Sequence, residues 1–175
     1  KGDLLVEGKP ADYAAAVELT GALSAASLTA VDTQISIADV NGLASQSVKL
    51  TRKESSKGVY QLNSLTNSTL TVNGSVSVAG SLEMLDSTLV AEDKSGKNKR
   101  MGLTVGGGLT VGGESSLLRV SGDVSIKGKG MLSTVKNSGV FAGGKMSVTG
   151  SLGLHDSMLV LRDRVGTKAC SLSVK

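Results

Sequence analysis

The segment DSTLVAED, Asp86 to Asp93, closed by Gly96, occurs in two further forms: DTQISIAD from Asp32 to Asp39 with Gly42, and DSMLVLRD from Asp156 to Asp163 with Gly166. A pattern kept three times sets an architecture before a chemistry, because each copy must form the same small unit and bury its face against its neighbours. Each copy has the same lead-in, Ala26-Ser27-Leu28, Gly80-Ser81-Leu82 and Gly150-Ser151-Leu152. Inside the pattern Leu85, Leu89 and Ala91 share one parity, as do Val31, Ile35 and Ile37, while Thr88 and Glu92 share the other. In the third copy Leu159 and Leu161 point inward and Arg162 outward. Alternation at period two marks a strand with one buried face.

Asp at the first and Gly at the fourth position of a turn suit a type I turn, since the carboxylate accepts from a nearby backbone N–H and Gly tolerates positive φ. Each copy therefore predicts a hairpin: for the middle one, DSTLVAED up, a turn at KSG, and KNKRMGLTV down. Asp39, Gly42, Asp93, Gly96, Asp163 and Gly166 are read as structural turn residues. A calcium-binding ladder of Asp turns is the rival reading, but the nonapeptide that defines one is absent.

A shorter motif, apolar-x-apolar-x-Gly-x-apolar-x-apolar, appears as VELTGALSA, LTVNGSVSV, LTVGGGLTV, LRVSGDVSI and VFAGGKMSV. Its glycines, Gly21, Gly74, Gly107, Gly122 and Gly144, are read as hinges where the strand bends or another backbone comes close. The fold class expected is all-β: a repeat-built β-solenoid or an interleaved β-fibre with short strands, glycine hinges and three D-x-x-G hairpins. The copies start 54 and then 70 residues apart, at Asp32, Asp86 and Asp156, so a strictly regular coil is not expected. The division that follows is a lead-in over 1–16, repeats over 17–51, 72–105 and 142–175, and insertions over 52–71 and 106–141. Pro10 to Val17 predicts a helical turn or a loop in the lead-in. Reading Leu172-Ser173-Val174 on into Gly2-Asp3-Leu4 recreates the glycine motif, so the segment is expected to belong to a longer tandem protein.

Composition agrees with thin layers. Aromatic residues make up 2% of 175, with no Trp, Tyr13 and Tyr60, and Phe141 as the single Phe, against 23 Gly. The core must come from Val, Leu, Ile, Ala and Met, as in solenoids and β-fibres, and thin layers expect partners: a homo-oligomer, trimer or filament. Net charge is +4, and the one dense basic cluster is Lys94, Lys97, Lys99 and Arg100, a candidate contact for a polyanion or simply a solvated turn. Aromatic residues for base stacking are not interleaved with it, so nucleic acid is not expected.

Enzyme chemistry has little to build on. The single His155 takes the place of Leu85 and Val31 in the repeat, and Ser151 and Ser157 recur in copies that have no His. A His/Cys metal site needs more than one His and one Cys, Cys170. Gly106 to Gly113 fits neither dinucleotide nor phosphate-loop spacing. No cofactor and no catalysis are expected, and no apolar run reaches the roughly 20 residues of a membrane span.

LTVNGSVSVAGSLEMLDSTLV, GLTVGGGLTVGG and MSVTGSLGLHDSMLVL resemble in style the β-repeat shafts of bacteriophage tail fibres and tailspikes, the fibres of contractile injection systems and some bacterial surface adhesins. The resemblance implies a structural fibre or shaft, extracellular, at a cell surface or on a virion, self-associated through its repeats. Bactofilin-like cytoplasmic solenoids are a similar match. The alternative function is an extracellular module that binds glycan or a surface on the same scaffold.

Overall fold

The computed structural model describes residues 2–8, 15–39, 44–54, 59–95, 97, 99–163 and 169–175. The strands form seven successive layers, each of three strands. They are β1 (Leu4–Glu7), β2 (Ala15–Thr20) and β3 (Leu23–Ala25); β4 (Leu28–Val31), β5 (Thr33–Ala38) and β6 (Val48–Leu50); β7 (Leu62–Thr66), β8 (Thr69–Val72) and β9 (Val76–Val78); β10 (Ser81–Leu85), β11 (Thr88–Ala91) and β12 (Leu103–Val105). The last three layers are β13 (Leu109–Gly112), β14 (Leu117–Val120) and β15 (Val124–Ile126); β16 (Leu132–Lys136), β17 (Gly139–Ala142) and β18 (Met146–Val148); β19 (Ser151–His155), β20 (Met158–Leu161) and β21 (Leu172–Val174). The first, second and third strands of every layer stack into three seven-stranded sheets, and every ladder between them is parallel. The molecule is a β-solenoid, with no helix among the described residues.

The inward side chains stack in registered rows. Ala30, Leu65, Met84, Val111 and Val135 make one, Ile35, Leu70, Leu89, Leu118 and Val140 another, and Val48, Val76, Leu103, Val124 and Met146 a third, none more than 2% exposed. Aliphatic residues of similar size stacked about 4.8 Å apart fill the narrow interior without aromatic rings. Asn63 enters the core fully buried and keeps its hydrogen bonds: Oδ1 accepts from Leu28 N at 3.0 Å and Nδ2 donates to Ser81 O at 3.0 Å. That satisfaction offsets the desolvation of an amide among leucines.

The corner between the first and second sheets explains the repeat. Asp32, Asn67, Asp86, Asn137 and Asp156 occupy it with φ between 46° and 51°, the left-handed region that Asp and Asn enter more readily than other side chains. The residue after each is Thr or Ser, buried in four of the five, and serine hydroxyls at this corner accept from the backbone of the layer before: Thr33 N donates to Ser68 Oγ at 3.2 Å, Ser68 N to Ser87 Oγ at 3.0 Å and Ser87 N to Ser116 Oγ at 3.0 Å. The same hydroxyls donate back to carbonyls two residues earlier, Ser68 to Thr66 O and Ser87 to Leu85 O. The corner also breaks the strand's alternation. Leu85 and Val31 therefore lie half-buried on the outer side instead of sharing a face with Leu89 and Ile35.

Three expectations are corrected. The D-x-x-G segments are not hairpins: β11 and β12 belong to different sheets, so the chain turns onward after Asp93, and among the described residues the one antiparallel bridge outside the strands is Glu54 with Tyr60. Unequal spacing does not interrupt the coil, because extra length is extruded at corners while the ladders stay in register; residues 52–71 and 106–141 contribute β7, β8 and β13 to β17 to the same sheets. The helical turn at Pro10 to Val17 is not formed where it is described, since Ala15 to Val17 open β2 and pair with Thr33 to Ile35; Pro10 to Ala14 lie outside the described residues.

Candidate functional site

The corner between the second and third sheets holds both sequence motifs. Extending the ladder of the second sheet by two residues aligns Gly21, Asp39, Gly74, Asp93, Gly122, Gly144 and Asp163 at one position. Layers with Gly turn tightly, as at 73–75, 121–123 and 143–145; layers with Asp send out the loops 39–47, 92–102 and 162–171 before the third strand begins. Gly107 lies instead at the corner between the third and first sheets, where a Cβ would collide with Ser81 Oγ. Loops fold back onto tight corners: Gln46 N donates to Asn73 O at 2.7 Å, and a Cβ on Gly74 would run into the Gln46 carbonyl oxygen. Met101 N likewise donates to Ser121 Oγ at 3.1 Å, beside Gly122.

Asp93 ties its loop together. Only 8% exposed, its Oδ1 accepts from the Ser95 hydroxyl at 2.5 Å and Ser95 N at 3.0 Å, and its Oδ2 from Lys99 N at 2.8 Å. The Ser95 hydroxyl first, then the Lys99 amide, hold its carboxyl below the usual carboxylate range. Asp39 accepts from Ala44 N at 3.3 Å. Gly42, Gly96 and Gly166 lie outside the described residues.

The four basic residues divide. Lys94, Lys97 and Lys99 are exposed on the loop after β11, whereas Arg100 is half-buried. Its Nη2 stands 2.8 Å from Asp163 Oδ1, at ion-pair contact without hydrogen-bond alignment, and its Nη1 4.0 Å from Asp123 Oδ1. Arg100 thus joins the loops of layers four and seven across the tight corners between them, and is committed within the chain.

A groove of about 560 Å³ runs over the outer face of the second sheet. Its outward row is Arg119, Phe141 and Val160, one residue from each of β14, β17 and β20 in register. Beside it lie Glu92, Ser121, Gly143 and Arg162, with the two small residues between the two charged ones. Arg119 Nε is 2.9 Å from Glu92 Oε1. Arg162 makes no ion pair among the described residues. The Phe141 ring lies over Gly139, where a Cβ would stand 3.1 Å from it, so the absence of a side chain there lets the ring lean aside and leave the Gly143 side open. Of these residues the sequence marked Glu92 and Arg162 as outward; the signal for the rest was outward parity, but their meeting requires the interlayer register.

Elsewhere His155 is exposed, its backbone carbonyl accepts from the Ser157 hydroxyl at 2.5 Å, and Cys170 is half-buried. Among the described residues no three His, Cys, Asp or Glu side chains cluster closely enough to hold a metal ion, and no helix is long and apolar enough to cross a membrane. No protein-family model, curated protein or solved structure matches the chain.

Proposed function

We propose that this chain is a segment of a structural fibre, a rod that lengthens by coil stacking on coil. The observation that carries the reading is the fit between its first and last layers. The layer of β19, β20 and β21 presents Leu154 at 45%, Leu172 at 45% and Val174 at 48% exposure, and these continue the inward rows that are buried in the middle of the solenoid. The layer of β1, β2 and β3 has Leu4, Val6, Val17, Leu19 and Leu23 in the matching positions, only partly buried against the core. Stacked in register, Val6 would cover Leu154, and Leu23 would cover Leu172. In the same register Glu7 in the first layer would stand against His155 in the last, and Glu18 against Val160, diagonal to Arg162. Each junction would add three parallel ladders and remove apolar surface from water, at roughly 25 cal/mol per Å².

The same fit serves a second copy and a continuation of the same chain alike. An extracellular appendage or virion is the setting the resemblance to fibre shafts implies. Light scattering with small-angle scattering over a dilution series tests the reading: rods longer than the roughly 30 Å of seven stacked strands are expected, shortened by Leu154→Glu with Val174→Glu. A particle of one chain's mass and length at every concentration would overturn it.

A further inference from the structure

We propose that the groove on the second sheet binds an acidic saccharide, its carboxylates on Arg119 and Arg162 and a pyranose face on Phe141. The inference starts from the departure of this face from its own pattern. Along the same outward row the earlier layers carry Ser36 and Thr71, whereas the later ones carry Arg119 and the chain's only Phe. Nothing in the fold requires either residue there, because the rows that fill the core lie on the opposite parity.

The two guanidiniums are differently prepared. Arg119 meets Glu92 through Nε in an exposed ion pair, which leaves its Nη edge as a fork for a carboxylate. Arg162 stands two layers further on, roughly 10 Å along the stacking direction at about 4.8 Å per layer, and has no ion pair among the described residues. With two arginines against one glutamate, the groove is complementary to negative charge. Phe141 sits between them and offers an apolar face, while Ser121 and Gly143 keep the floor low.

A sugar fits this chemistry better than a peptide. Under the groove β11, β14 and β17 are paired on both edges, and the one free edge, that of β20, lies at the end of the stack and not along the outer face, so a peptide lying in the groove would rely on side chains alone. A carboxylated pyranose needs only what is present, one ring face against Phe141 and forked hydrogen bonds to guanidinium. The inference rests on the outer face of one sheet, and it is read on the dispersed chain, because in a stacked rod Glu18 of the next first layer would come diagonal to Arg162.

The test is calorimetric titration of the whole chain with a tetragalacturonate, its methyl ester and oligothymidylate, at two salt concentrations. The free acid is expected to bind and the ester not to, with binding weakened by salt. Arg162→Gln and Phe141→Ala, both on the outer face and checked by unchanged circular dichroism, should each weaken binding at least about tenfold, as for loss of one charge-assisted contact or one stacking face. Replacing Lys94, Lys97 and Lys99 together by Gln should leave it unchanged. Absence of saturable binding, equal binding of the ester, equal binding of oligothymidylate, or loss with the lysine variant and not with Arg162→Gln would each overturn the proposal.

Discussion

The two corners that flank the second sheet solve the same problem in opposite ways. The corner that enters it is nearly uniform: Asp or Asn in the left-handed region, then a Thr or Ser that links one layer to the next. The corner that leaves it is variable, tight over Gly in some layers and a loop behind Asp in others. The difference assigns their work. A hydroxyl that accepts from the layer below and donates within its own layer fixes register where Asp or Asn leads into it, and the connection lengthens only between β1 and β2 and between β13 and β14. At the other corner the layers touch mainly through loops laid on glycine, and length can vary without moving a strand.

The sharpest way to break the comparison is to spoil the tight corner. In Gly74→Ala the new methyl meets the Gln46 carbonyl, a backbone atom that cannot rotate away. We expect a loss of about 2–3 kcal/mol, at the upper end for overpacking, read as a fall in the denaturation midpoint. An unchanged midpoint would mean that the loop of layer two is not seated on this corner. Ser87→Ala tests the uniform corner. It leaves the buried Ser68 N–H without its acceptor, and leaves Leu85 O with Asn67 N as donor but without the hydroxyl, at a cost of about 1–3 kcal/mol. Hydrogen exchange should quicken at the amides of Ser68 and its neighbours, and exchange that stays at the wild-type rate would remove the ladder from the account.

How much of this was legible follows from which contacts are local. Parity identified the inward residues of β5, β8, β11, β14, β17 and β20, because burial in a strand shows at spacing two. Three copies were seen where five left-handed corners exist, since Asn67-Ser68 and Asn137-Ser138 do the work of Asp-Ser with a different first letter. With those two included, the awkward spacing resolves into steps such as 35 from Thr33 to Ser68 and 19 from Ser68 to Ser87. The hairpin expectation failed for another reason. The bonds Asp93 makes to Ser95 and Lys99 are local and would be the same whether the chain doubles back or goes on; direction is decided by ladders to residues of other layers. The groove was illegible on the same ground, because Arg119, Phe141 and Val160 meet only through parallel register.

Acid sharpens the comparison next, since the variable corner depends on a carboxylate and the uniform one on hydroxyls. Hydrogen bonds hold the Asp93 carboxyl below its ordinary value, so its contribution is complete above the unfolded pKa of about 3.9 and is lost as pH falls through the lower, folded value. Asp3 behaves alike, through the Ser27 hydroxyl first and then Arg52. Stability should be flat from pH 7 to about pH 5 and decline below about pH 4. Asp93→Asn should flatten part of that decline, and a variant as acid-sensitive as the parent would show that the loop's capping bonds do not report on folding.

The smallest effect is expected from the largest change. If the two forms of the variable corner are interchangeable, residues 92–102 can be replaced by a three-residue corner of the type found at Asn73-Gly74-Ser75, joining β11 directly to β12. Shortening the connection from eleven residues to three recovers about 1 kcal/mol of closure entropy. Against that stand the lost ion pair of Arg100 with Asp163 and the bond from Lys94 N to Asn73 Oδ1. Removing Arg100 takes the cation from the Asp163 carboxylate, whose side chain is 7% exposed, a cost of similar size. The shortened chain should therefore keep its β-sheet circular dichroism and melt within a few degrees of the parent. A chain that no longer folds would mean that the loop behind Asp93 holds layer four in place, and the division between a corner that sets register and a corner that takes up length would have to be given up.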